Sequence, residues 1–233
     1  SLAMAMVSLS GLFVYWIVFQ SINNLGGWGY YDIMFLYSLY LIVVSPSQIV
    51  LDNLWNLKTH IMDGSFIKYL IRPINSLFYY ISEIVDIKGF AQLLIGGGCL
   101  IYSITKISVN WTLGTALLLM FFSVCGMFII AALRLLAAST SFWIMNSLFV
   151  NMFITKIIDL AKYPISIYNK LFQILFTFLI PIGFASFYPA ELILDLSRFT
   201  PFYLLAPLFA SLLIVLSYQL WFLGIKKYSG TGS

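Results

Sequence analysis

The chain has 233 residues, of which 62% are hydrophobic and 9% are charged. Soluble domains carry charge on about a quarter of their residues, so this composition excludes a soluble fold and predicts an all-α integral membrane protein. The formal net charge of +4 comes from scattered residues rather than from one basic face, which argues against a nucleic-acid partner.

Apolar segments at residues 2–22 and 32–55 predict the first two membrane-spanning helices. Such a helix takes about 20 mostly apolar residues, so the chain has room for about six spans and no large domain outside the membrane. Glycines and aromatic residues between the two segments indicate a short turn at the external membrane interface. Pro46 interrupts the second segment, where we expect a kink whose freed carbonyl is satisfied by the hydroxyls of Ser45 and Ser47.

Residues 58–88 form the most polar part of the chain and include four lysine or arginine residues. Positive charge accumulates on the cytoplasmic side of membrane proteins, so we expect this loop in the cytoplasm. A third span is predicted at residues 89–104 and a fourth at residues 112–133, joined by an external turn. The three glycines at 96–98 predict that another helix packs closely against the third span. No Lys-Ser or Lys-Thr pair follows them, which disfavours a phosphate-binding loop.

Three apolar segments remain, at residues 142–160, 165–182 and 202–224, and the lysines at 226 and 227 favour a cytoplasmic end. Three further crossings would leave that end outside, so one segment must fail to cross. If 142–160 crosses and 165–182 dips back from outside, seven of the 12 basic residues lie inside. If 142–160 instead lies along the cytoplasmic face and 165–182 crosses, ten lie inside, which charge alone favours.

The chain shows no constellation of residues suited to catalysis, to a metal ion or to a cofactor. His60 is its single histidine and lies in a loop, and Cys99 and Cys125 lie far apart in apolar stretches. No P-loop motif is present, so any ATP and Mg²⁺ would be bound by another subunit. We therefore expect a transport subunit rather than an enzyme.

Ionisable residues are rare in the predicted spans, and those present are expected near helix ends. Lys156 and Asp159 are three residues apart, which predicts a local ion pair close to a membrane interface. Pumps and proton-coupled carriers normally place charged residues in the middle of the membrane. Any pathway here is therefore predicted to be apolar and aromatic, suited to lipid-like or amphipathic cargo.

Two stretches carry a family resemblance. Residues 63–75, which follow the second span, resemble the corresponding loop of the ABC-2 type permeases, in the branch of small permeases that work beside a second, different permease. Residues 163–190 resemble the proline-punctuated segment of that branch before its last span, on the residues Pro164, Pro181, Tyr188 and Pro189.

The resemblance implies an exporter subunit in the cell membrane, multi-pass, with both termini in the cytoplasm and a bacterial source favoured. It implies partner ABC ATPase subunits that bind ATP and Mg²⁺, a second permease and contacts with membrane lipids. It also implies that 163–190 forms a re-entrant external helical hairpin, which selects 142–160 as the fifth span. The cargo would be a lipid, a drug or a hydrophobic peptide.

A permease that binds no ATP must receive movement from an ATPase through a rigid cytoplasmic element. We expect that element between residues 58 and 73, with Gly64 ending one helix and Pro73 starting another. Phe66 and Leu70 would be apolar contacts for the ATPase, while Lys68 and Arg72 would pair with its acids. The predicted coupling residues are Lys58, Asp63, Gly64, Phe66, Lys68, Leu70, Arg72 and Pro73.

Three alternatives remain open from the sequence. The loop could be an ordinary basic loop that contacts lipid headgroups. The chain could also be a secondary carrier or channel, or a membrane-embedded assembly or sensor subunit.

Residues 1–228 are expected to form one permease domain. The start without Met suggests a preceding segment, which in the family is a short amphipathic helix, and 229–233 is expected to be a linker or tag remnant.

Overall fold

The structure is a computed structural model that describes residues 2–144 and 146–228. The expected linker or tag remnant at 229–233 lies outside the described residues. The described part of the chain is helical and contains no β-strand, which confirms the all-α prediction. Its α-helices are α1 (Leu2–Ser21), α2 (Tyr30–Val50), α3 (Leu57–Met62), α4 (Ser76–Ser82), α5 (Lys88–Ile104), α6 (Leu113–Ser139), α7 (Ser147–Asp159), α8 (Lys170–Ile174), α9 (Phe187–Leu194) and α10 (Leu205–Lys227).

Four helical segments are long and apolar enough to cross a membrane. They are Ala3–Ser21, Tyr30–Val50, Leu113–Phe142 and Pro201–Lys227. Helix α5 adds 17 residues, or about 25 Å, which nearly matches a hydrocarbon core of roughly 30 Å. The protein is therefore a multi-pass membrane protein, with four candidate spans and shorter apolar helices that include α5.

Helix α2 occupies the centre of the bundle, with α5 and α6 packed against it and α10 packed against α6. The helix continues through Pro46 and ends at Val50, five residues before the predicted end. Ser45 and Ser47 donate hydrogen bonds to the carbonyls of Leu41 and Val44. The carbonyl that a proline at 46 frees belongs to residue 42, so the predicted role of the two hydroxyls is wrong.

The glycine run in α5 meets α2 through one of its three members. A Cβ atom on Gly96 would lie 2.9 Å from the Cβ of Leu41, whereas Gly97 and Gly98 have open space around them. We expect Gly96→Ala to lower the free energy of unfolding by about 1–2 kcal/mol relative to Gly97→Ala, because only the former crowds a packed interface. Gly97→Ala should raise stability slightly, since alanine is the better helix former. Thermal unfolding of both variants in one detergent checks the order, and equal melting temperatures would contradict it.

The two sides of the bundle are named here by what they carry. The loop side carries residues 51–87, and the turn side carries the connection between α1 and α2. Ser166 donates a hydrogen bond to the carbonyl of Gly26, and the rings of Phe187 and Trp28 lie 5.4 Å apart. The chain therefore lies at the turn side before α8 and returns to it by the end of α9, where Glu191 and Asp195 line a cavity together with Gly27 and Trp28.

Between those two points the chain forms a re-entrant hairpin. Helix α8 continues as a π-helical turn, Leu175–Leu179, and the chain reverses after Pro181 before α9 begins. At the reversal, the carbonyl oxygen of Ala185 would lie 2.9 Å from a Cβ on Gly126. Helix α6 starts on the turn side, and Gly126 lies about 20 Å along it at 1.5 Å per residue. The hairpin therefore enters the bundle to this depth and then returns to the turn side. This arrangement matches the predicted hairpin and the first of the two topologies.

Helix α7 is shorter than the predicted span at 142–160. It begins at Ser147, after a 3₁₀ turn at Thr140–Phe142, and ends at Asp159 after 13 residues, or about 20 Å. The hydroxyl of Tyr40, the middle residue of α2, donates to the Asp159 carboxylate over 2.8 Å. Helix α7 therefore rises from the loop side and ends at half the height of the bundle.

Candidate functional site

Residues 51–87, the loop segment, fold into short helices instead of an open loop. A 3₁₀ helix at Asp52–Asn56 leads into α3, and a second at Ser65–Tyr69 precedes α4. Gly64 separates them with φ +76°, a left-handed conformation that glycine adopts without steric cost. The prediction that Gly64 ends a helix agrees with this geometry.

Phe66 anchors the loop segment from inside. Its side chain is fully buried, although the sequence predicted an exposed contact for an ATPase. Aromatic rings whose centroids lie within about 6 Å of each other prefer edge-to-face or tilted arrangements, and each contact adds to the buried apolar area. Five rings surround Phe66 with centroids 5.3–6.0 Å away, namely Tyr69, Tyr80, Phe142, Trp221 and Tyr228. That expectation for Phe66 is therefore wrong, because this aromatic cluster covers it.

Hydrogen bonds join the loop segment to α10. The amide of Asn75 donates to the Tyr218 hydroxyl over 2.9 Å, and the indole of Trp221 donates to Ser76 over 3.3 Å. The hydroxyl of Tyr228 donates to the carbonyl of Gly64 over 3.3 Å. The loop segment is thus fixed to the loop-side end of the last span.

Lys68 is paired within the chain. Its ammonium lies 2.7 Å from Oε1 of Glu83, and the Tyr69 hydroxyl donates to the other carboxylate oxygen. These bonds lower the pKa of Glu83, with Lys68 the larger cause, and the same pairing raises the pKa of Lys68. Lys68 is therefore paired with Glu83 in this structure, and its predicted pairing with an acid on the ATPase stays a prediction.

Asp63 stabilises a turn, and Pro73 lies ahead of the first residue of α4. The Asp63 carboxylate accepts hydrogen bonds from the hydroxyl and the backbone N–H of Ser65, which lower its pKa. Helix α4 starts at Ser76 and is capped by the side chain of Asn75, which accepts from the N–H of Phe78. Pro73 therefore does not start a helix, in contrast to the prediction.

The outward face of the loop segment is apolar. Ile71 is 74% exposed and Ile67 and Ile74 are each 50% exposed, whereas Leu70 is half-buried. Arg72 is exposed beside them, with its guanidinium 4.7 Å from the centre of the Tyr79 ring. A flat patch of branched apolar side chains next to a cation suits a protein partner.

A second candidate site extends from the loop side of the bundle to half its height. A cavity of about 340 Å³ opens between α1, α2, α5 and α7 and is called here the mid-bundle cleft. Its polar lining comprises Ser8, Ser10, Tyr15, Tyr37, Tyr40, Gln48, Gln92, Thr155, Asp159, Lys162 and Tyr163. Polar groups at this depth are costly in a membrane and mark functional sites, so the predicted apolar pathway is incomplete.

Three tyrosine hydroxyls hold the walls of the mid-bundle cleft together. Tyr15 donates to the carbonyl of Lys162 over 2.8 Å, and Tyr37 donates to the carbonyl of Ser8 over 2.9 Å. Tyr40 donates to Asp159, which takes the place of the predicted pair between Lys156 and Asp159. That pair is wrong because α7 ends beside α2, far from an interface. The side-chain oxygen of Gln48 is buried there, without a hydrogen-bond partner among the described residues.

The comparison with protein families decides the identity of the chain. The family model described as ABC-2 family transporter protein matches residues 4–232. The chain belongs to the ABC-2 transporter family. No curated protein and no solved structure matches it.

This ABC-2 protein is a permease component of an ABC transporter, and its family implies an ABC ATPase as partner. The resemblance to the ABC-2 type permeases, found at residues 63–75 and 163–190, is thereby confirmed at the level of the family. Of the predicted coupling residues, Gly64, Phe66, Lys68 and Asp63 hold the loop segment together. The structure leaves Arg72, together with the neighbouring isoleucines, on its outer surface.

Proposed function

We propose that this chain is a subunit of an ATP-driven exporter that moves hydrophobic or amphipathic cargo. It would lie in the cell membrane beside a second, different permease, with the loop side and both termini in the cytoplasm. ATP and Mg²⁺ would be bound by separate ATPase chains. The observation that carries this proposal is the folded loop segment, which is fixed to the bundle and displays an apolar outer patch.

The loop segment has the mechanical properties that coupling requires. The ring of Phe66 packs against Phe142, which follows α6, and against Trp221 in α10. A Cβ on Gly224 would also collide with the Phe142 ring, so α10 and the end of α6 are in close contact there. A push on the patch would move the loop-side ends of both helices together, because packed elements shift as units.

Ile71→Asp should detach the ATPase. A charge at the centre of the patch would be desolvated on docking, so we expect recovery of an ABC ATPase with the tagged permease to fall at least about tenfold. The matched control is Ile87→Asp, because Ile87 also lies on the loop side and is 71% exposed. Pull-down in mild detergent, with quantitative mass spectrometry, gives the measurement. Equal recovery for both variants would show that the ATPase does not dock on the patch. If no ATPase were recovered with the unmodified chain, the proposed export function would be contradicted.

One observation favours a secondary carrier as the second candidate. Asp159 places a carboxylate at half the height of the bundle, as proton-coupled and ion-coupled carriers do. Transport into vesicles that contain this chain alone, compared with vesicles that also contain its ATPase, would distinguish the two. Cargo movement driven by an ion gradient without ATP would favour the carrier, and movement only with the ATPase and ATP would favour the exporter.

A further inference from the structure

We propose that the mid-bundle cleft binds the cationic, amine end of an amphipathic cargo through the Asp159 carboxylate and the rings of Tyr15, Tyr37 and Tyr40. This inference rests on the proposed export function and names the class of its cargo. At about 340 Å³ the cleft falls in the size range of sites for small ligands.

The charge on Asp159 selects a cation. Its Oδ1 accepts one hydrogen bond, from Tyr40, and the ion pairs found among the described residues do not include it. Lys162 also lines the cleft, but its ammonium lies 5.2 Å from the centre of the Tyr163 ring. Arg134 is buried beside a separate, smaller cavity, and its positive charge acts on Asp159 and Tyr40 without forming an ion pair with Asp159. A carboxylate held at this depth without an ion-pair partner gains most from a ligand that brings positive charge.

The tyrosines favour the same ligand. The rings of Tyr15 and Tyr37 meet edge to face at 5.4 Å, and those of Tyr37 and Tyr40 stack at 5.9 Å. The three tyrosines are buried but line the cleft, and their hydroxyl protons are already donated within the chain. They therefore offer the cleft parts of their rings and oxygen lone pairs rather than donors. Aromatic surface beside a carboxylate is the environment that attracts alkylammonium groups.

The apolar part of the cargo has a path along α1. Met4, Val7 and Val14 of this helix line the cleft, and most of the other α1 side chains are exposed on the outside of the bundle. An alkyl chain could therefore lie against α1 and extend into the surrounding lipid. The cleft thus presents a polar end that carries the Asp159 carboxylate and an apolar opening, which matches an amphiphile with an amine at one end.

Binding of charged amphiphiles to the full chain in nanodiscs, without nucleotide or partner, tests the inference. A radiolabelled alkyltrimethylammonium probe should bind saturably, and an alkyl sulfate of equal chain length should compete at least about tenfold more weakly. Asp159→Asn should weaken binding of the cation at least about tenfold, and Asp159→Glu should restore most of it. The matched control is Asp195→Asn, whose exposed carboxylate bonds Arg198 away from the cleft. Equal affinity for both probes, or a cation affinity unchanged by Asp159→Asn, would overturn the proposal.

A photoreactive form of the same cation provides a readout that needs no variant. Crosslinks should map to the α1 segment between Ser8 and Tyr15 or to residues 155–163, and crosslinks confined to other helices would reject the site. Because neither assay contains ATP or an ATPase, their outcome is separate from that of the coupling experiment. If the cation bound to the cleft but no ATPase were recovered with the chain, the binding site would stand and the proposed ATP-driven export would be contradicted.

Discussion

Phe66→Ala should unfold the loop segment locally while the spans remain inserted. Phe66 is fully buried among five aromatic rings, and removal of a phenyl group from such a site costs about 3–5 kcal/mol. That loss is large compared with the stability of a small folded segment, so amide exchange in residues 64–80 should accelerate at least about 100-fold. Hydrogen exchange followed by mass spectrometry of peptides from this region measures the change directly.

The control for this experiment is Ile71→Ala, which shortens an apolar side chain at an exposed position of the same segment. Exposed substitutions usually change stability by less than about 0.5 kcal/mol, so exchange should stay near that of the unmodified protein. Similar exchange in both variants would show that the aromatic cluster does not hold the loop segment. If the loop segment transmits movement, Phe66→Ala should also reduce ATPase stimulation, because an unfolded segment cannot push α10.

The position of Phe66 shows why surface and core were assigned wrongly in this loop from sequence. Residues 65–69 form a 3₁₀ helix, in which side chains three apart lie on one face. Phe66 and Tyr69 are therefore buried together, and Ile67 and Ile71 point outward. The sequence does show an apolar, basic segment between two spans, but the choice of face depends on Trp221, which is more than 150 residues away.

The spans themselves were predictable because length and hydropathy are local properties. Helices α1, α5 and α6 begin within one residue of the predicted positions. The hairpin before the last span was predicted from its prolines through the family resemblance, while charge alone favoured the other topology. Charge counting favoured the other topology because Lys156 lies in the last turn of a helix that ends inside the bundle and Lys162 follows that helix, so neither residue marks a membrane interface.

The mid-bundle cleft could hardly be predicted from the sequence. Tyr40 and Asp159 are 119 residues apart and meet only because α7 stops at half the bundle height. Hydropathy treats residues 142–160 as one continuous span, which puts Asp159 at a membrane interface. An unusually short helix whose last residue is acidic is the one local feature that could have raised the question, since a carboxylate is seldom placed there without a role.

Gly126→Leu should displace the re-entrant hairpin. A Cβ at this position would lie 2.9 Å from the carbonyl oxygen and 3.0 Å from the Cα of Ala185, and backbone atoms cannot move aside as a flexible side chain can. We expect a loss of about 3 kcal/mol and faster amide exchange in residues 182–194. Gly114→Leu in the same helix is the control, because its nearest contact is 3.6 Å away. If Gly126→Leu retained full protection of the hairpin, the hairpin would not be packed against the middle of α6, and its depth in the bundle would have to be revised.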